Sequence, residues 1–307
     1  MKPKLLTIAG PTASGKKRLA LAAAERFGGE IVSADSRKIY RLLDIGTAKP
    51  SPEDRDCVPH HLIDIAGPEE HFSAADWVAR AAEAVRGILA RGKLPIMSGG
   101  TGFYIEAFRT GLTGGIGADP AVRRRLASDL EHVGAEAMHE RLHAVDPGRA
   151  GELHPNDTFR VLRALEAYEA TGMTFAEIRE ASRITGGDYD HFTVATGMTR
   201  DVLYHRIDER VDAMIERGLT DELKDILGRG YSRTVPALDT VGYKEWFPWL
   251  DGEASFEECR EAVKRNTRRY AKRQITWFRA RSGIRWFDMD APGAENLVMN
   301  EIGNWLG

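Results

Sequence analysis

Cysteine is scarce in this chain. The two in 307 residues, Cys57 and Cys259, are too few and too far apart for a disulfide framework or a CxxC metal site, and a reducing cytoplasm is the expected setting. No run of 18 apolar residues occurs, and the N-terminal stretch MKPKLLTIAGPT is too short in apolar residues for a signal peptide, so no membrane span is expected. Neither sign of charge dominates. Forty-three Lys and Arg against 46 Asp and Glu leave a net charge of −3, so a nucleic-acid partner would have to meet a local basic patch. G-x-S-x-G is absent, and the histidines at 60, 61, 71, 132, 139, 143 and 154 are read as surface or packing residues. Metal ligands are therefore left unassigned. What is present is a composition, 42% hydrophobic and 29% charged, that can bury a sizeable core in one large domain or a domain with an insertion.

The pattern along the chain predicts a parallel α/β core. KLLTIA (4–9) reads as a buried strand, KKRLALAAAERF (16–27) as a helix stopped by Gly28-Gly29, and EIVSAD (30–35) as a second strand. A helix over 73–91, capped by Ser73, leads to a strand LPIMS (94–98). After Leu112 the glycine-rich TGGIGADP opens a stretch, 120–180, with helical pattern and no strand. HFTVATGM (191–198) and IRWFDMD (284–290) then return to strands, with helices expected over 201–217, 220–228 and 257–279. The expectation is a core of residues 1–115 and 195–307 interrupted by a helical insertion at 116–194.

Four stretches can carry chemistry. GPTASGKK (10–17) nearly fits G-x-x-x-x-G-K-[ST], a loop whose amides and helix N-terminus cradle phosphate while the lysine reaches the outer phosphates. Its last position is Lys17, which cannot ligate Mg²⁺ as a hydroxyl does. The strand LPIMSGGT also carries no acid to steady a metal, so hydrolysis of ATP in the usual manner is not expected. SADSRKIY (33–40) places Asp35 at the carboxyl end of a strand, where ligands of open sheets bind and where a carboxylate can act as a base; a turn or cap is the plainer alternative. GGTGFY (99–104) puts the Thr101 hydroxyl at another strand end, or is simply a turn. Finally, residues 264–285 hold nine Lys or Arg and no acid. Arg265, Arg269 and Arg273 share one face and Arg268 and Lys272 another, while Tyr270 and Trp277 are read as core; a polyanion-binding stripe is expected.

In order along the chain, GPTASGK, DSRKIYRLLDIGTAKP (35–50), PHHLID (59–64), GGTGFY, HPND (154–157), VGYKE (241–245) and AKRQITWFR (271–279) resemble the tRNA dimethylallyltransferase family, over roughly residues 10–280. The resemblance implies a P-loop NTPase-like α/β fold with an inserted all-helical domain that grips the anticodon stem-loop. It also implies transfer of a dimethylallyl group from dimethylallyl diphosphate to N6 of adenosine 37, with Mg²⁺ as cofactor, by a monomer in the cytoplasm. Gly10, Thr12, Ala13, Ser14, Gly15, Lys16 and Lys17 would hold the diphosphate, together with Arg206 and Arg210. Asp35 would accept the N6 proton and Thr101 would bond the bridging oxygen of the leaving group. Asp35, Ser36, Arg37 and Lys38 would touch tRNA, as would Phe159, Arg160, Val161, Leu162 and Arg163. Further tRNA contacts would come from Asp239, Thr240, Val241, Gly242, Tyr243 and Lys244, and from Lys272, Arg273, Gln274, Ile275, Thr276, Trp277, Phe278 and Arg279. Ser or Thr is typical of the family at 17 and Gln at 38. Other activities consistent with parts of the pattern are an adenylate isopentenyltransferase, a P-loop small-molecule kinase, and a tRNA-binding relative whose catalysis Lys17 impairs.

Overall fold

A computed structural model describes residues 2–113, 120–181, 183, 184 and 188–307. In chain order the elements are β1 (Lys4–Ala9), α1 (Lys16–Phe27), β2 (Gly29–Ser33), α2 (Pro52–Cys57), β3 (His60–His61), α3 (Ala74–Ala90), β4 (Leu94–Gly99) and α4 (Gly102–Thr110). Then come β5 (Leu112–Thr113), α5 (Pro120–Val145), α6 (Pro147–Glu152), α7 (Thr158–Thr171), α8 (Phe175–Ala181) and β6 (Arg183–Ile184). The chain closes with β7 (Asp190–Gly197), α9 (Arg200–Glu216), α10 (Leu219–Gly228), a 3-10 turn (Lys244–Trp246), α11 (Phe247–Leu250), α12 (Phe256–Arg279), β8 (Ile284–Asp288) and α13 (Ala294–Leu306).

Two compact units result, one of residues 1–106 with 187–307 and the other of residues 107–186. In the first, six parallel strands run in the order β3-β2-β4-β1-β7-β8. Side chains alternate across a strand, so Leu6 and Ile8 of β1 join Ile31, Ile96, Phe192 and Val194 in one core with Leu19 and Ala23 of α1 and Val298 and Ile302 of α13. Because all strands are parallel, the ends of β1, β2 and β4 open on the same edge. That edge is where the chain leaves β1 for neighbours on either side, the place such sheets bind ligands. In the second unit, α5, α6 and α7 pack around Leu126, Met138, Leu142, Leu153, Val161 and Leu165. Gly134, at φ 83°, breaks α5 into two arms.

Three features differ from the sequence reading. β7 starts at Asp190 and pairs with β1 along its whole length, so the boundary falls at 186/187 and not at 194/195. A two-residue antiparallel pair, Leu112–Thr113 with Arg183–Ile184, flanks the helical stretch 120–180, at positions where no strand was expected or excluded. α13 was not anticipated, although Ala294, Val298, Met299 and Ile302 trace a buried helical stripe. Much of the two expected hinges, 114–119 and 185–187, lies outside the described residues.

Candidate active site

Residues 10–15 turn from β1 into α1. Gly10 holds φ 146°, and a Cβ there would lie 2.4 Å from Thr196 Oγ1, so the loop needs glycine to press against the end of β7. Ala13 and Gly15 are also left-handed, at φ 63° and 84°. Ser14 is buried; its Oγ donates to the Pro11 carbonyl at 2.7 Å and shares a 2.5 Å hydrogen bond with Thr196 Oγ1. The Ser14 hydroxyl therefore ties the loop to β7 and is not available to a ligand. What the loop offers an anion is backbone N–H, the uncapped N-terminus of α1 and Lys16, whose Nζ donates to Pro11 O at 2.9 Å.

Asp35 follows β2. Its Oδ1 accepts from the amides of Arg37 (2.9 Å) and Lys38 (3.4 Å), which fixes the carboxylate; Oδ2 makes no hydrogen bond among the described residues. Thr101 follows β4, beside Asp35's strand end, because Gly99 lets the two backbones meet: a Cβ at Gly99 would lie 1.9 Å from Ala34 O. Thr101 N donates to that same carbonyl at 3.1 Å, and Thr101 Oγ1 accepts from Ser36 N at 3.0 Å. Tyr270 of α12, read from sequence as core, instead lines the same cavity. Its phenol is pushed up to about 12, first by burial and then by the charge of Asp35, with a hydrogen bond to Thr101 opposing. Gln274 joins the turns that follow β1 and β4: Oε1 accepts from Thr12 N at 2.8 Å and Nε2 donates to Gly100 O at 2.9 Å.

Lys16, Asp35, Tyr270 and Gln274 open on a cavity of about 810 Å³ whose walls also carry Lys17, Lys38, Arg206 and Arg210; Thr101 is bonded to Ser36, another lining residue. Lys16 is lowered to about 7 by burial, then by the charges of Arg210 and Lys38, with Asp35 opposing. Lys38 and Arg210 are lowered too, each first by burial. Among the described residues none of these three forms an ion pair with a carboxylate, whereas Arg206 pairs with Asp290 at 3.0 Å and Lys17 with Asp54. A smaller pocket of about 520 Å³, lined by Tyr40, His71, Phe72, Tyr104 and Pro236, shares Ser36, Arg37 and Asp239 with the first. One wall comes from the D-I-G-T-A-K-P stretch: Glu222 accepts from the amides of Asp44, Ile45 and Gly46, and buried Lys49 donates to Tyr40 O at 2.7 Å and to Asp44 and Asp64.

The residues expected to touch RNA divide by exposure. Phe159 is 74% exposed, and Arg160, Arg163, Asp239, Lys244, Lys272, Arg273, Thr276 and Arg279 are exposed as well. Val161, Tyr243, Gln274 and Phe278 are buried, so their side chains serve packing or hydrogen bonding; Tyr243, for one, donates to Glu222 at 2.6 Å. Leu162 packs against the core of the second unit, and Trp277 is half-buried beneath Arg281 at 3.7 Å from its ring. The basic stripe is also divided. Lys264 and Arg268 turn inward to Asp212 and Asp208 of α9, an arrangement the sequence did not reveal. Residues 139–143, H-E-R-L-H, spell a zinc-helix pattern, but His139 Nε2 donates to the carbonyls of Ala150 and Leu153, both at 3.0 Å, and His143 is exposed. No group of three His, Cys, Asp or Glu suited to a metal occurs among the described residues.

The family model described as IPP transferase matches residues 38–281. A tRNA dimethylallyltransferase of Geobacter sulfurreducens is 48% identical over 290 residues, covering 94% of this chain and 93% of that protein. One from Halalkalibacterium halodurans is 44% identical and covers 100% of this chain and 97% of its own. Among solved structures, the tRNA isopentenylpyrophosphate transferase of Bacillus halodurans matches with a TM-score of 0.73 at 42% identity, covering 99% of this chain and 96% of that one. A eukaryotic dimethylallyltransferase acting on tRNA matches with a TM-score of 0.82 at 29% identity, over 98% and 78% of the two chains.

Proposed function

The chain belongs to the IPP transferase family, and on that footing we propose that it transfers a dimethylallyl group from dimethylallyl diphosphate to N6 of adenosine 37 in tRNA. The observation that carries this reading is the meeting of Asp35 and Lys16 on one cavity, with Thr101 hydrogen-bonded to Ser36 of the same lining, at the ends of three adjacent strands. In the reaction a bond forms between N6 and the first carbon of the allylic group while the bond from that carbon to diphosphate breaks. The N6 proton goes to the unbonded Oδ2 of Asp35, which a weakly nucleophilic aromatic amine needs nearby. The departing oxygen gains charge, which Thr101, Lys16, Arg210 and the loop amides offset. The second pocket, sharing Ser36, Arg37 and Asp239 with the cavity, supports entry of an extruded base from a different side than the diphosphate. Exposed Phe159, Arg160 and Arg163 on α7 of the second unit, and Lys272, Arg273 and Arg279 on α12, are the groups proposed to hold the anticodon stem-loop.

A monomer acting in the cytoplasm belongs to this reading, and a tRNA substrate supports the location; no described helix is long and apolar enough to cross a membrane. Mg²⁺, expected from the resemblance, would neutralise diphosphate. The residues here do not fit a protein-held ion. The hydroxyl position after Lys16 is Lys17, the buried Ser14 hydroxyl is engaged by Pro11 and Thr196, and no acidic cluster suited to a metal occurs among the described residues, so no step is routed through a metal.

The test is transfer from radiolabelled dimethylallyl diphosphate to an anticodon stem-loop carrying A36-A37, run beside AMP. Label on N6 of A37 and none on AMP is expected. Label on AMP alone, or on neither acceptor, would contradict the assignment.

A further inference from the structure

Lysine at position 17 is the departure from the phosphate-loop pattern, and its surroundings give it a role. A hydroxyl there would ligate a cation that in turn binds phosphate oxygens. Lys17 instead brings an ammonium to the same cavity wall. It pairs with Asp54, whose Oδ2 also accepts from Ser51 N at 2.8 Å as part of the cap of α2, so the carboxylate is held in place and the ammonium with it. One bond to Asp54 leaves an ammonium two more donors.

Of the other cations in the cavity, Arg206, Lys49 and Lys244 have carboxylate partners, and others do not. Lys16, Lys38 and Arg210 form no ion pair among the described residues, and the carboxylate they face is Asp35, which the mechanism needs as a base. Enclosed cations without counter-ions are costly, and each lowers the others' hold on a proton. A polyanion with several oxygens relieves that cost at once, and charge-assisted bonds from ammonium and guanidinium groups are the strong ones. A divalent cation, by contrast, would be repelled by the same cluster until the anion had arrived.

We infer that this protein holds the diphosphate of its donor with its own cations, Lys17 standing where a metal-ligating hydroxyl would be, so that diphosphate binding does not require a divalent metal. The inference rests on the reading of the cavity as a diphosphate site, and a binding experiment separates the two. Inorganic pyrophosphate is titrated calorimetrically into wild type, Lys17→Met and Lys17→Thr, each in excess EDTA and in saturating Mg²⁺. Wild type is expected to bind with affinities within about threefold in the two conditions. Lys17→Met is expected to weaken by on the order of tenfold in both, and Lys17→Thr by a similar factor in EDTA with recovery in Mg²⁺. Loss of wild-type binding in EDTA would overturn the inference, as would Lys17→Met binding like wild type. Absence of binding in both conditions would remove the diphosphate site and the inference with it. Metal-free binding without transfer to any tRNA would overturn only the functional reading.

Discussion

Two groups of basic side chains in this molecule differ in what they face. Along α12, Arg260 and Lys264 meet Asp212 at 2.8 and 2.9 Å and Arg268 meets Asp208 at 2.6 Å, so that part of the helix's charge is cancelled by α9. In the cavity, Lys16, Lys38 and Arg210 are half-buried and meet no such partner among the described residues. The sequence makes the helix look the more electropositive of the two, with seven Lys or Arg and no acid between 264 and its end at Arg279. Density of positive residues therefore says less about an anion site than whether the charges are left unpaired by the fold. The paired group stabilises the contact of α12 with α9, and the unpaired group is the one proposed to take an anion.

The largest effect that would break this contrast is at Lys16. Replacing it with Met is expected to lower the single-turnover transfer rate by about 10²- to 10³-fold, as loss of a group stabilising developing charge does. A loss near unity would mean the cavity cations are not used. Thr101→Val should follow, with a fall of about 10²-fold in turnover and little change in thermal midpoint, measured by steady-state kinetics and a melting scan. On the other side of the comparison, Arg268→Gln should cost about 1 kcal/mol of stability in denaturant unfolding, with tRNA affinity unchanged. The exposed Arg269→Gln should instead leave stability unchanged and weaken tRNA binding severalfold, most at low salt. Equal effects of the two on RNA binding would erase the division drawn along the helix.

The smallest expected effect is in pH dependence. Lys16 sits at about 7 in the folded protein against an ordinary value of 10.5. Below 7 both folded and unfolded chains carry the proton; above it the folded chain releases it while the unfolded chain keeps it. The unfolded state then binds more protons, so this residue makes stability rise as pH goes from about 7 towards the ordinary lysine range. Denaturant midpoints across that window should climb more steeply for wild type than for Lys16→Met. Parallel curves would place Lys16 in contact with solvent.

Much of the sheet edge that borders the cavity was legible because it is built from local signals: an apolar strand, a glycine turn, then a helix or a polar residue at the strand end. Gly10, Asp35 and Thr101 are each of that kind. Tyr270 was not, because heptad spacing with Trp277 marks an inward face but cannot tell a packed core from the wall of a cavity. Ser14 and Gln274 are tied through partners 182 and 262 residues away, Thr196 and Thr12. No local pattern records such a bond, which is why both were read as ligand contacts. β3, two residues on a sheet edge, is too short to show a period. Lys264 and Arg268 were read as part of a free stripe because their acids lie on another helix.

The most direct test of the account is single-turnover transfer to the A36-A37 stem-loop by wild type and Asp35→Asn, with pyrophosphate affinity measured on the same samples. Asp35→Asn is expected to bind pyrophosphate at least as tightly as wild type while transfer falls by on the order of 10³-fold. Transfer at the wild-type rate in Asp35→Asn would contradict the claim that this carboxylate, set among unpaired cations, takes the proton from the attacking amine.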